Sequence, residues 1–273
     1  MDLFIAGVWG MLAGFHTATW GIYKDAIHEG YSYPRYFRSV VISTLAGPLI
    51  QYLARFDLSR AASFVALFGL IYVTERAVVE LYKTFFREED QSKYFIPMRF
   101  HVMGRIVHSR PIRWAVGTLC ILIAAAIVWG LYRIEQSRPG IAPALLVALV
   151  GSAGGWVSAL SGAWKDAPLE GFETLKFFRS PLISLTYALL LALLIDNYLQ
   201  IGLASLGYTI ATIETYKTFF FPSKPRGKFA GKPILYPHML KVRQRFIPLY
   251  ASIWLLVITA WVIAFTQPRQ GLL

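Results

Sequence analysis

Long apolar runs separated by short charged segments set the pattern of this chain. Runs of the length a membrane-spanning helix needs, about 20 mostly apolar residues, lie near 3–22, 39–55, 59–82, 112–132, 142–163, 181–197, 200–220 and 246–266. They predict an all-α integral membrane protein of about eight transmembrane helices. Two runs are weak: Gly47-Pro48 interrupts the second, and Asp196-Asn197 ends the sixth. A segment that dips in and returns at either place changes the sidedness given below. Met1-Asp2-Leu3-Phe4 lacks the basic n-region of a signal peptide, which predicts that the first run is retained as a span.

The polar segments between these runs repeat. Gly21 to Ser39, GIYKDAIHEGYSYPRYFRS, returns without a gap as Gly162 to Ser180, GAWKDAPLEGFETLKFFRS, with nine identities: Gly21/Gly162, Lys24/Lys165, Asp25/Asp166, Ala26/Ala167, Glu29/Glu170, Gly30/Gly171, Phe37/Phe178, Arg38/Arg179 and Ser39/Ser180. A second echo sets Glu80-Leu81-Tyr82-Lys83-Thr84-Phe85-Phe86 against Glu214-Thr215-Tyr216-Lys217-Thr218-Phe219-Phe220. The chain therefore reads as an internal duplication, with a first four-helix repeat over 1–138 and a second over 139–273. Four spans per half is an even number, so both copies start from the same side. This predicts two parallel repeats related by a pseudo-two-fold axis along the membrane normal. Gly10/Gly14 and Gly151/Gly155 form small-xxx-small pairs at equivalent positions and predict that the first and fifth helices pack near that axis.

Composition supports the bilayer assignment. The 273 residues are 56% hydrophobic and 15% charged, with a mean hydropathy of +0.50, too apolar for an ordinary soluble domain. The formal net charge of +12 does not call for nucleic acid, because Lys and Arg stand in blocks between apolar runs, as in polytopic membrane proteins. Of the 27 Lys and Arg, 21 fall in connections on one side, five on the other (Arg55, Arg60, Arg133, Arg138, Arg269), and Arg76 within a span. The positive-inside rule makes the basic connections cytoplasmic and both termini extracytoplasmic. Cys120, the single cysteine, excludes an intrachain disulfide.

The cytoplasmic connections differ in kind. Two are compact and carry the repeated motif. Loops 87–111 and 222–245 are longer, rich in Pro, and mix basic with aromatic residues, a composition suited to anionic lipid headgroups or to docking a protein partner. Within the first, Met98 to Val102 alternates like a strand, whereas Phe100, Met103 and Val107 keep helical spacing. His101 and His238 occupy similar places and read as interfacial or hydrogen-bonded side chains rather than metal ligands.

Part of the motif is architectural. Ser39 and Ser180, the latter followed by Pro181, predict helix N-caps. Gly30 and Gly171 predict turns of positive φ. Asp25 and Asp166 suit the cap of a short interfacial helix, since Pro168 belongs in a first turn. What remains is a formally neutral set in each half: Lys24, Asp25, Glu29, Arg38, Glu80 and Lys83, and Lys165, Asp166, Glu170, Arg179, Glu214 and Lys217. A carboxylate at the depth of Glu80 or Glu214 needs a cationic partner, and Lys83 and Lys217, three residues on, lie on the same helix face. The set therefore reads either as a salt-bridge cluster fastening the short loop to the third or seventh span, or as a ligand site. In the second reading Asp25 with Glu29, and Asp166 with Glu170, are carboxylates four apart able to hold a divalent cation, with Lys and Arg receiving a phosphate. Polar groups within the spans are unequal between halves: His16, Glu75 and Arg76 have no counterpart in the second.

Three functions are compatible with this pattern. The leading expectation is transport or permeation of an anionic, phosphate-bearing or lipidic ligand taken from the cytoplasmic leaflet. A non-catalytic membrane subunit or scaffold with structural charge clusters is the alternative. A divalent-cation-dependent enzyme acting on a phospholipid or polyprenyl phosphate is the third, although the spacings match no phosphotransferase or prenyltransferase motif, and no Ser-His-Asp, Cys-His or zinc-ligand arrangement is present.

Overall fold

The computed structural model describes residues 1–221 and 227–273. Residues 222–226, the start of the predicted loop 222–245 and the carriers of Lys224 and Arg226 in the charge count, lie outside the described residues. Eight long helices follow the apolar runs: α1 (Asp2–Glu29), α2 (Tyr33–Ala54), α3 (Ala61–Leu81), α4 (Arg110–Ser137), α5 (Pro143–Glu170), α6 (Thr174–Ala192), α7 (Tyr198–Thr215) and, after a four-residue α8 (Met239–Val242), α9 (Ile247–Thr266). Both Tyr-Lys-Thr-Phe-Phe echoes, Tyr82–Phe86 and Tyr216–Phe220, widen into a π-helical turn at the ends of α3 and α7.

Seven of these helices are long and apolar enough to cross a membrane, as expected of a multi-pass membrane protein. The exception is α7. It packs on α3, α4, α5 and α6 and buries Tyr198, Ser205, Tyr208 and Thr209 among its inner residues. A helix surrounded by protein does not need the hydropathy of one that meets lipid. The same contrast separates α3, with 72% of its apolar window buried within the protein, from α4, with 6%.

The helices run past the predicted spans, so the repeated motif lies mostly on helix and not in a compact loop. Lys24, Asp25 and Glu29 occupy the last turns of α1, Arg38 the second turn of α2, and only residues 30–32 form the connection. Gly30 (φ 73, ψ 176) and Gly171 (φ 83, ψ 166) stop α1 and α5 in a backbone region open essentially to glycine alone, as their recurrence predicts. Ser39 and Ser180 are not N-caps. The first turns start earlier, at Tyr33 and Thr174, behind Ser32 and Glu173, and both serines are buried at helix crossings. Pro34 takes the first-turn position in α2, while Pro181 lies inside α6. Pro168 falls in the last turn of α5 rather than in a first turn, so Asp166 caps no separate interfacial helix. Gly47-Pro48 does not break α2, and Asn197 ends the sixth run by capping α7, accepting from the Gln200 amide at 2.9 Å.

The glycine pairs also pack differently from expectation. A Cβ at Gly10 would stand 2.2 Å from the Ser43 carbonyl oxygen, and one at Gly14 2.5 Å from Val40 Cα, so these glycines seat α1 on α2. Gly151 and Gly155 seat α5 on α6 through Ala188 and Pro181. The crossing is internal to each half because the small side chains facing the glycines, Ser39, Ser43, Ser180 and Ser184, lie on the next helix. The most extensive contact between halves is α3 against α7. There a Cβ at Gly207 would lie 2.0 Å from the Gly69 carbonyl oxygen, and one at Gly69 2.8 Å from Ala204 Cα. Tyr208, fully buried, donates from α7 to the Val65 carbonyl of α3 at 2.9 Å.

This crossing makes a direct prediction. Gly207→Ala forces two backbones apart and should cost about 1–3 kcal/mol, read as a lowered Tm of the detergent-purified protein. Gly21→Ala, whose Cβ meets nothing within 4 Å, should leave the Tm unchanged or raised; equal Tm values for the two variants would refute the close α3–α7 contact.

Candidate functional site

A cleft lies beside each motif. The first, of about 80 Å³, lies between α1, α2 and the end of α3. The second, of about 160 Å³, lies between α5, α6 and the end of α7. Aligned positions face both: Gly21/Gly162, Asp25/Asp166, Gly30/Gly171, Arg38/Arg179, Ser39/Ser180 and Lys83/Lys217. Glu29 lines the first cleft only and Glu214 the second only. Lys24, Glu80, Lys165 and Glu170 stand outside both linings.

The ion pairs show how the remaining predicted residues are used. Lys83 lies 3.5 Å from Glu80, and Lys217 3.6 Å from Glu214, the spacing of three residues noted in the sequence. Glu80 is also bonded by Arg76 one turn earlier. Lys24 leaves its own half and reaches Glu214 at 3.6 Å, so the motif at the end of α1 is tied to α7. Lys165 holds a different position: its ammonium lies 3.9 Å from the Met98 sulfur, and its carbonyl 3.2 Å from His101 Nε2.

In both halves a lysine lies between the two carboxylates proposed as cation ligands. Lys228 Nζ is 2.7 Å from Asp25 and 3.6 Å from Glu29. Lys176 Nζ is 3.2 Å from Asp166 and 2.9 Å from Glu170. Among the described residues no group of three or more His, Cys, Asp or Glu side chains converges as a metal site.

The long loops close over these clusters. Tyr94 and Met98 from the first loop and Phe229 from the second bury together. The Phe95 amide donates to the Lys228 carbonyl at 2.7 Å, and Lys232 Nζ to the Ser92 carbonyl at 2.8 Å. Each loop rests on the opposite half. The second places Lys228 at the end of α1 and sends the Leu235 and Tyr236 amides to the Ile27 carbonyl, both at 3.0 Å. The first folds as a two-residue hairpin, His101–Val102 with Arg105–Ile106, turned by Met103 (φ 51) and Gly104 (φ 79). Its buried His101 touches α5. The ambiguous period of 98–107 reflects a hairpin too short to establish alternation. His238 forms the N-cap position of α8 beside Tyr236.

Several residues of the site escape the sequence reading. Arg35 binds Glu29 at 3.0 Å and is the aligned counterpart of Lys176, a shared positive charge hidden by counting identities alone. Tyr94 donates to Glu29 at 2.7 Å, and Lys228 arrives from a loop without periodicity; neither carries a sequence signal. Partial burial, and then the charge and hydrogen bond of Glu29, push the Tyr94 phenol above its ordinary range. Partial burial works against ionisation of Glu89, but the hydrogen bond from Lys93 and the charges of Arg87 and Arg35 outweigh it and hold the carboxyl below its usual value. Deeper in α1 and α3, His16 Nδ1 lies 3.2 Å from the Tyr72 hydroxyl, to which Trp20 also donates at 2.8 Å. Glu75, fully buried, has Arg76 at 3.6 Å.

No family model, curated protein or solved structure matches this chain. The site's own geometry therefore carries the functional argument.

Two outcomes follow. In a double-mutant cycle of Lys24→Met and Glu214→Gln followed by thermal unfolding, the pair should couple by about 0.5–3 kcal/mol; additive single effects would show that the cross-half pair does not form. Glu89 has a depressed folded pKa, so its contribution to stability is present above the ordinary carboxylate value of about 4.3 and lost as pH falls through the folded value. Unfolding between pH 7 and pH 3 should therefore show a shallower acid-side loss of stability for Glu89→Gln than for the unsubstituted protein, and identical pH profiles would exclude this role.

Proposed function

We propose that the chain is a membrane transport or permeation protein that takes an anionic, phosphate-bearing or lipidic ligand from the cytoplasmic leaflet. It is built in this reading as two parallel four-helix repeats, 1–138 and 139–273, related by a pseudo-two-fold axis along the membrane normal. The observation that carries the reading is that the same aligned positions, including Arg38/Arg179 and Lys83/Lys217, line a cleft in each half. Arginine and lysine at the wall of a cleft are suited to phosphate, the first by its bidentate fork and the second as a point charge. The positive-inside rule puts both clefts and the basic loops on the cytoplasmic side, where anionic headgroups concentrate, with both termini extracytoplasmic.

A second reading has its own support. Asp25, Glu29, Glu80, Asp166, Glu170 and Glu214 each have a Lys or Arg nitrogen within 4 Å, as expected of a non-catalytic subunit whose charges fasten its helices and whose loops 87–111 and 222–245 dock a partner. The third reading, a divalent-cation-dependent lipid enzyme, requires a cation to displace Lys228 or Lys176 from between the carboxylates.

Flux separates these readings. In vesicles containing anionic lipid, the reconstituted protein should move a labelled phosphate-bearing lipid or metabolite, and Arg38→Ala with Arg179→Ala should lower the rate at least tenfold. No movement of any anionic probe, with a double mutant indistinguishable from the parent in cells, would sink the transport reading and leave the scaffold.

A further inference from the structure

The two clefts share their aligned positions but not their charge. Arg35, Arg38, Arg76, Lys83, Arg87 and Lys228 line the first, against two acids, Asp25 and Glu29. The second is lined by Lys176, Arg179 and Lys217 against Asp166, Glu173 and Glu214, three of each sign. Three substitutions and one residue of the opposite loop produce the difference. Arg76 stands where the second half has Ile210, Arg87 where it has Phe221, Ser32 where it has Glu173, and Lys228 enters the first cleft from the loop of the other half.

Within the first cleft five of the six cations already have a carboxylate within 4 Å: Arg35 and Arg87 with Glu89, Arg76 and Lys83 with Glu80, and Lys228 with Asp25. Arg38 is the exception. It makes no ion pair or hydrogen bond among the described residues, and its Nε is buried without a partner. A guanidinium held in a partly closed cleft with no carboxylate within 4 Å leaves donors unsatisfied, an arrangement that favours an anion brought from outside. The volume of about 80 Å³ is of the order of one phosphate group with a few waters. With the acids that pair with these cations from outside the lining, Glu75, Glu80 and Glu89, and the Lys93 that shares Glu29 and Glu89, seven cations face five acids, and an excess of two favours a phosphomonoester, with its charge of about −1.5 to −2 at neutral pH, over a diester carrying a single charge.

We propose that the clefts have diverged, and that the first is a phosphomonoester site anchored by Arg38, taking the group either free in solution or on a lipid headgroup. The inference rests on the reading that these clefts receive anionic ligands, and it adds which of the two does so and through which group. The second cleft, larger and charge-balanced, lacks the net positive field that would hold a dianion.

The test is binding, measured apart from flux. Inorganic phosphate and glycerol 3-phosphate are titrated calorimetrically into the full-length detergent-purified protein, and nanodiscs containing phosphatidic acid or only phosphatidylcholine are assayed for retained lipid by native mass spectrometry. Binding of the soluble probes identifies a free phosphomonoester; selective retention of phosphatidic acid identifies the lipid form. In either case Arg38→Gln should weaken binding at least tenfold, Arg38→Lys should restore part of it, and Arg179→Gln should lose distinctly less than Arg38→Gln. Equal losses in the two arginine variants, or no binding of any of these probes to protein with a cooperative thermal transition, would overturn the proposal. If Arg38→Gln fails to fold, Arg38→Lys against Arg179→Lys gives the same comparison. Phosphate bound through Arg38 without flux would sink transport but keep the site, whereas flux with undiminished binding in Arg38→Gln would do the reverse.

Discussion

A charged group drawn out of water into a helix bundle must meet an opposite charge, and the ends of α1, α3 and α7 are arranged around that requirement. Leaving a carboxylate unpaired costs more the deeper it is buried, and both the half-exposed Glu80 at the end of α3 and the more buried Glu214 at the end of α7 draw cations to them. Glu80 is served from its own helix by Arg76 and Lys83. Glu214 is served by Lys217 and by Lys24 of α1. The second arrangement joins halves that the apolar contact of α3 with α7 has already brought together. Packing determines which helix ends are neighbours, and the ion pairs determine how those ends are turned.

Gly69 and Gly207 are what allow that neighbourhood. Inside a bilayer, lipid and side chains are equally apolar, and close packing of backbones takes the place of a hydrophobic driving force between helices. The absence of a Cβ at Gly207 lets α7 meet the α3 backbone at Gly69. The same device at Gly10, Gly14, Gly151 and Gly155 seats α1 on α2 and α5 on α6. What distinguishes the three crossings is the small residue opposite each glycine, which spacing along one helix does not reveal.

The helices were legible in the chain because long apolar runs admit few other structures, and the glycine turns because Gly30 and Gly171 recur where only glycine fits. Helix ends were less so: polar residues such as Lys24 and Arg38 continue a helix readily, and hydropathy alone places the boundary too early. The cap assigned to Ser39 and Ser180 failed for a related reason, since a serine before an apolar run also suits a tight helix crossing. For the site, the pairs three residues apart could be read directly. Lys24 with Glu214 and Lys228 with Asp25 could not, because nothing local marks contacts separated by most of the chain. Arg35 and Lys176 sat within view as an aligned pair of like charge.

The reach of the second loop back to α1 has a consequence for how the protein is made. The end of α1 is among the first segments synthesised, but the Lys228 that sits against Asp25, and the Leu235 and Tyr236 amides that close on Ile27, are encoded some two hundred residues later. At elongation rates of about 5–20 residues per second, the interval is roughly ten to forty seconds. Through that time the acids at the end of α1 are without their loop lysine, and the first cleft can be finished only after every long helix but the last has been made. The half of the molecule that is translated first thus cannot acquire its final form until most of the second has followed it.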